Sequence, residues 1–134
     1  MSRLNSSNKL YISQSIIPNS GKGVFTAQNI KKGEIIEIAP ILILEFTDFI
    51  DTKWNLLFEY YFWMDDYVVL ALGYGSLYNH SKNPNAGYKL DRKEETITFT
   101  AIKDISKDEE ILFNYKGSKS EKAPLWFERK KVVE

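Results

Sequence analysis

The chain has 134 residues, of which 43% are apolar and 19 are aromatic (three Trp, eight Tyr and eight Phe), so it suits one domain with a substantial core and is too short for two. Eighteen basic and eighteen acidic residues give a formal net charge of zero, which offers no positive surface for wrapping nucleic acid. The lack of cysteine excludes disulfides, thiol nucleophiles and cysteine-based zinc sites, and one histidine is too few for a three-histidine metal cage.

No segment has the pattern of a membrane span or of a secretory signal. The longest apolar run, Ile35–Phe46, is short and is interrupted by two glutamates and Pro40. The N-terminal segment Met1–Asn8 is polar. We therefore expect a cytoplasmic or otherwise intracellular protein that is not secreted and that contacts neither nucleic acid nor membrane directly.

Seven segments have the alternating or β-branched apolar pattern of short strands. In chain order they are Lys9–Ile17, Val24–Thr26, Ile35–Phe46, Tyr67–Leu72, Ala86–Leu90, Thr96–Ala101 and Ile111–Phe113. Pro40 indicates a bend or an edge inside the third segment. In Thr96–Ala101 the odd positions are expected to face the core.

After the third segment the apolar period changes from two residues to that of a helix. The spacing predicts a helix over Asp51–Trp63 with Asp51 as its N-cap. Its core face would be formed by Trp54, Leu57, Phe58, Tyr61 and Phe62. Tyr60 lies off that face. One helix among seven or eight short strands predicts a mainly β domain, α+β by class, without an internal linker.

Two turns of the chain resemble one another. Residues 29–36 (NIKKGEII) and 104–111 (DISKDEEI) are identical at four of eight positions. One interpretation is a common turn pattern with a buried Ile before it and a strand after it. The other is a pseudo-symmetric fold in which two similar hairpins pack against each other. Eight residues are too few for a solenoid repeat.

Chemistry-bearing residues concentrate in the loop Gly73–Asn85, which contains the only histidine, His80. Taken alone, His80 is more typical of a satisfied imidazole in a tight turn. No Ser-His-Asp spacing is present, which argues against serine hydrolysis. The triplet Gly21-Lys22-Gly23 lacks the third glycine of a dinucleotide-binding motif, and its simplest interpretation is a turn that needs positive φ.

Taken together and in order, three blocks resemble the SET-domain family of protein lysine methyltransferases, over about Asn8–Trp126. The first is Gly21–Phe25 followed by Ile30–Glu34. The second is Asn79–Asn85, similar to the family's Asn-His-Ser…Pro-Asn motif. The third is Ile102–Ile105 followed by Glu109–Tyr115, similar to the motif that ends in the catalytic tyrosine. The lead-in Ala71–Gly75 and the compact size are most similar to minimal viral and bacterial members without a zinc-binding tail.

The resemblance implies a β-clip fold of several short sheets in one SET domain, 1–134. Its core would span about 9–117, a small helical insert about 47–66, and a threaded C-terminal closing segment 118–134. It implies S-adenosyl-L-methionine as cofactor, S-adenosyl-L-homocysteine as product, no metal, and a protein or peptide lysine as substrate, possible substrates including a histone or another basic tail. A homodimer is a further expectation.

The same resemblance implies a role for individual residues. Gly21, Lys22 and Gly23 would line the methionine side of the cofactor through backbone, and Asn79 and His80 would hold its amino and adenine ends. Tyr115 would be catalytic and touch the cofactor. The lysine channel would be lined by Tyr60, Tyr74 and Tyr115, with Tyr60 also catalytic and Tyr61 as its rival. Trp126 would close over the cofactor or the channel. A general base at His80 is not needed.

Four departures from the family pattern stand out. Ser76-Leu77-Tyr78 replaces Arg-Phe-Ile, Asn114 replaces the Asp before the final tyrosine, Lys116 delays the next glycine to Gly117, and the cysteine tail is absent. The alternative to an enzyme is a catalytically inactive SET-like module that binds a peptide or protein. A third interpretation is a purely structural β protein.

Overall fold

The computed structural model describes residues 9–49, 60–64 and 66–114. Nine strands follow one another in these ranges: β1 Leu10–Gln14, β2 Lys22–Thr26, β3 Ile35–Leu44, β4 Tyr61–Trp63, β5 Val68–Ala71, β6 Asn79–His80, β7 Ala86–Asp91, β8 Thr96–Ala101 and β9 Leu112–Phe113. A 3-10 turn spans Phe46–Phe49. Each of the seven predicted strand segments overlaps one of these strands, although β2 begins two residues before its predicted segment and β7 ends one residue after.

The described strands form two sheets. β1 and β2 make an antiparallel pair, and the other seven are ordered β4-β5-β3-β8-β7-β9-β6. The long strand β3 serves both halves of the larger sheet, since its residues 35–40 pair with β8 and 41–44 pair with β5. Pro40 lies where the partner changes, which is consistent with its missing N–H donor.

The core is aliphatic and aromatic and takes side chains from strands of both sheets. In β8 the odd positions Ile97, Phe99 and Ala101 are buried, as the alternation predicted. Tyr78 and Phe113 are the other large rings that are almost completely buried. Among the described residues, no helix is long and apolar enough to cross a membrane. In the same ranges no three His, Cys, Asp or Glu side chains gather to hold a metal ion.

The two similar turns pack against each other around a local twofold axis, as the pseudo-symmetric interpretation expected. They are not hairpins, however, because neither turn joins two strands that pair with each other. Ile30 and Ile105, which are 75 positions apart, exchange two backbone hydrogen bonds of 2.8 Å. The same offset relates the neighbouring contacts. Gly33 N donates to Ala101 O, and Asp108 N donates to Thr26 O, at 2.8 and 2.7 Å.

Side chains repeat the symmetry of the backbone. Lys32 N donates to Asp104 Oδ1 at 2.9 Å, and Lys107 N donates to Asn29 Oδ1 at 2.8 Å. Each turn is also closed by its own glutamate, because the Oε1 atoms of Glu34 and Glu109 accept backbone N–H bonds from Lys31 and Ser106. The left-handed position of each turn is Gly33 in one copy and Asp108 in the other.

The predicted helix is wrong at its C-terminal end. Tyr61, Phe62 and Trp63 form β4, which pairs with β5. These residues form an edge strand on the apolar β5 instead of a helical turn. The strand also buries the side chain of Phe62, which the helical spacing had placed on the core face. The predicted insert 47–66 therefore contains a 3-10 turn and a strand in its described parts, and 50–59 lie outside the described residues, as does 118–134.

Candidate functional site

Strand β9 lies between β6 and β7 and runs parallel to both. The loop Gly73–Asn85, expected to be irregular, contributes β6 by pairing Asn79 with Leu112 and His80 with Phe113. Asn85 fastens the other side, because its Nδ2 donates to Glu110 O at 2.8 Å and its Oδ1 accepts from Leu112 N at 2.8 Å. The second and third motif blocks therefore meet at β9. The first block joins them just before that strand, where Ile111 N donates to Val24 O at 2.8 Å.

The side chain of Glu110 is the polar centre of this meeting point and is only 2% exposed. Its carboxylate accepts hydrogen bonds from the Ser15 hydroxyl, at 3.0 Å to Oε1 and 2.8 Å to Oε2. Ile16 N donates to Oε1 at 2.9 Å, and Asn79 Nδ2 donates to Oε2 at 3.0 Å. A buried carboxylate with this set of donors joins three segments that are distant in sequence.

Gly23 lies against this carboxylate. A Cβ built on Gly23 would overlap Glu110 Oε2 and would stand 3.0 Å from Asn79 Nδ2. Gly21 differs, since it has a φ of +66° and open space where a Cβ would be. The expected requirement for positive φ thus holds for Gly21, whereas Gly23 is needed because the backbone approaches other groups closely.

Asn79 is held by two acceptors. Its Nδ2 donates to Lys22 O at 3.0 Å and to Glu110 Oε2 at 3.0 Å. Both amide hydrogens are then used, which leaves Oδ1 as the acceptor on the other side of the amide. Lys22 takes part through its backbone, as expected, while His80 is half-buried beside Asn79 in β6.

A second buried carboxylate, Glu37 in β3, lies under the loop. Tyr78 donates its hydroxyl to Glu37 Oε1 at 2.7 Å, and Tyr74 N donates to Oε2 at 2.9 Å. Burial raises the pKa of Glu37, and the two hydrogen bonds oppose that rise. Tyr78 replaces an apolar residue of the family pattern, and its hydroxyl supplies a hydrogen-bond donor to the buried carboxylate of Glu37.

The stability of the Glu37→Gln variant relative to the wild type should increase as pH rises. The folded-state pKa of Glu37 is raised, so its contribution to stability is fully present below the ordinary glutamate pKa and is lost as pH rises through the folded-state value. The free energy of unfolding of the variant minus that of the wild type should therefore grow across this window and then level off. Urea titrations between pH 4 and 8 would measure it.

The matched comparison for Glu37 is Tyr78→Phe. Loss of the phenolic donor should raise the pKa of Glu37 further and make stability fall more steeply with pH. A Glu37→Gln variant whose stability relative to the wild type does not change with pH would contradict this assignment.

Aromatic rings line the other side of β9. Phe113 packs against Phe62, Tyr88 and Phe99 with ring centroids 5.4–5.6 Å apart. Burial and the neighbouring Tyr67 raise the pKa of Tyr88 to about 12, so its hydroxyl stays protonated at neutral pH. Tyr88 was not singled out from the sequence, although its strand was predicted.

The structure brings together only some of the predicted site residues. Those at the meeting point are Gly23, Lys22 and Asn79, with His80 and Gly21 next to them in the chain. Tyr60 is 37% exposed and directly precedes β4. Tyr74 donates its hydroxyl to Leu10 O at 3.4 Å. Tyr115 and Trp126 lie outside the described residues.

Ser15 and Glu110 are contributors that the sequence interpretation did not single out as site residues. Glu110 was quoted only as part of the third block, and Ser15 belongs to none. A polar residue in a turn carries no periodic signal, so the contact between them could not be found without the fold.

The chain is similar to known proteins over most of its length. The family model described as SET domain matches residues 21–116. A histone-lysine N-methyltransferase from Schizosaccharomyces pombe, H3 lysine-37 specific, is 33% identical over 110 residues, which is 81% of this chain and 71% of the relative.

Solved structures show the same fold. A Plasmodium falciparum protein assigned as a histone methyltransferase has 34% identity and a TM-score of 0.67, over 90% of this chain and 98% of its own. The Polycomb Repressive Complex 2 of Chaetomium thermophilum bound to S-adenosylmethionine matches with a TM-score of 0.70 and 22% identity, over 96% of this chain and 17% of the other. The chain is homologous to a histone-lysine N-methyltransferase and belongs to the SET-domain family.

Proposed function

We propose that this protein transfers a methyl group from S-adenosyl-L-methionine to the Nε of a protein lysine. The observation that carries the proposal is the convergence of Gly23, Asn79 and Glu110 at one point. Here Glu110 fills the side of Gly23 where a side chain would be. Asn79 presents an amide oxygen, Oδ1, that does not face the buried carboxylate. Such a surface fits a ligand that carries an ammonium group.

The residues of this chain would divide the work as follows. Gly21, Lys22 and Gly23 would hold the cofactor through backbone, and Asn79 and His80 would bind its amino and adenine ends. When bound, the cofactor supplies a methyl group on a sulfonium centre. Tyr115 would position the reacting groups by its hydroxyl, so that most of the acceleration comes from proximity and orientation.

A channel of tyrosine rings suits the substrate amine. Tyr60 and Tyr74 would line it together with Tyr115. Removing a lysine from water lowers its pKa towards neutrality, which supplies the uncharged amine that the reaction needs. Ring faces and hydroxyls also attract a cation. Trp126 would close over the cofactor or the channel.

A relative supports a proposal for the substrate class. The Schizosaccharomyces pombe relative is described as H3 lysine-37 specific, and we propose a histone or another basic protein tail as the substrate here. Such a substrate implies action inside the cell, in the cytoplasm or on chromatin. We also propose that the chain is most similar to minimal viral and bacterial members of the family and that it forms a homodimer.

Calorimetry with S-adenosyl-L-homocysteine tests cofactor binding. We expect one site per chain for folded wild-type protein. Folded protein that does not bind would instead favour the catalytically inactive peptide-binding module. A radiolabelled methyl-transfer assay on cell lysate, followed by mass spectrometry of the labelled protein, would then identify the substrate.

Tyr115→Phe should lower turnover by at least about tenfold while cofactor affinity stays nearly unchanged, because only the positioning hydroxyl is removed. Single-turnover methylation and calorimetry on the same preparation would separate the two quantities. Wild-type rates in this variant would remove Tyr115 from the mechanism.

A further inference from the structure

We propose that Glu110 is a positioning residue that fixes the amide of Asn79 with its oxygen towards the cofactor's ammonium group. The inference deepens the proposed function and rests on it. Asn79 would touch the ligand, whereas Glu110 would act only through Asn79, from 2% exposure behind it.

The orientation of the Asn79 amide follows from its neighbours. Lys22 O and Glu110 Oε2 both lie 3.0 Å from the same amide atom. A backbone carbonyl can only accept hydrogen bonds, and Glu110 already accepts from a hydroxyl and a backbone N–H. The atom that faces these two acceptors must therefore be the NH₂ group, and the oxygen must face the opposite way.

The carboxylate is in turn held so that it cannot rotate. Ile16 N, a donor fixed in the backbone, faces Oε1 at 2.9 Å, and the Ser15 hydroxyl lies within 3.0 Å of both oxygens. Gly23 fills the remaining side, with no room for even one more carbon. The result is a chain of fixed polarity that runs from Ile16 through Glu110 to Asn79.

A glutamine at position 110 would preserve the shape and reverse this polarity. Because Ile16 N must still face an oxygen, the new NH₂ would face Asn79 Nδ2, and two donors would oppose each other. Neither orientation of the Asn79 amide is then satisfied. The present one opposes two donors, and the turned-over one sets Asn79 Oδ1 against Lys22 O and places the NH₂ where an ammonium-bearing ligand needs an acceptor.

A comparison of two ligands in two variants tests the inference. The ligands are S-adenosyl-L-homocysteine and the same molecule with its α-amino group replaced by hydrogen. Glu110→Gln should weaken binding of the first by at least about tenfold and of the second by less than about twofold. The matched control is Glu94→Gln, the same change at an exposed glutamate in the turn between β7 and β8, which should alter neither affinity. Calorimetry supplies the dissociation constants.

Equal losses for both ligands would show a general structural role and would overturn the inference, as would no loss for either. Wild-type protein that binds neither ligand would contradict the proposed function itself. If Glu110→Gln does not fold, hydrogen exchange in the cofactor-free wild type still decides the matter. The side-chain amide of Asn79 should exchange at least about tenfold more slowly than that of the exposed Asn83, and equal rates would overturn the inference.

Discussion

Gly23→Ala is expected to destabilise the protein by about 3 kcal/mol and to abolish cofactor binding, because its added methyl group would occupy the space of the Glu110 carboxylate. Glu110 cannot move aside without giving up buried hydrogen bonds to Ser15, Ile16 and Asn79. The measurements are urea denaturation and calorimetry with S-adenosyl-L-homocysteine at a temperature where the variant stays folded.

Gly21→Ala provides the comparison for stability. Its Cβ would meet no atom within 4 Å, and only the left-handed backbone resists it, at a cost of about 1 kcal/mol. Substitution by alanine should therefore destabilise the protein more at Gly23, through overlap with Glu110, than at Gly21, through backbone strain alone. A Gly23→Ala variant no less stable than Gly21→Ala would mean that Glu110 has another place to go.

Asn85→Ala should cost about 2–4 kcal/mol of stability, since its side chain satisfies the backbone groups Glu110 O and Leu112 N at the start of β9. Asn85 is itself only 5% exposed, so water cannot readily replace the lost amide. Thermal and urea unfolding of the variant would measure the effect.

The control for Asn85 lies two residues earlier. Asn83 is exposed, and Asn83→Ala should change stability by less than about 0.5 kcal/mol. A similar loss of stability in the two variants would show that any substitution in this segment is destabilising. The hydrogen bonds of Asn85 to β9 would then not be the cause.

Most of the strand pattern was predictable because it rests on local alternation. Thr96–Ala101 buries every second residue, at the odd positions that the alternation predicted, and Ile35–Leu44 is a long apolar run. Order in the sheet was not predictable. β6 has two residues and polar side chains, and it is a strand only because β9 passes beside it.

The predicted helix shows the opposite limit. Aromatic residues at helical spacing can also be buried by a strand that pairs with a neighbouring strand. The sequence around Phe62 contains no signal that decides between a helix and a strand. Among the site residues, Gly23 and Asn79 could be assigned from motif resemblance, while their contact with Glu110 required the fold.

The twofold contact between the turns at Ile30 and Ile105 has a consequence for how the chain folds. Its hydrogen bonds join residues 75 positions apart, and those of Glu110 reach back as far as Ser15, 95 positions away. Few of these contacts can form before most of the chain has been synthesised and closed into a loop, so folding should be slow and strongly cooperative. Chain closure and assembly of the Gly23–Asn79–Glu110 contact are then one kinetic event.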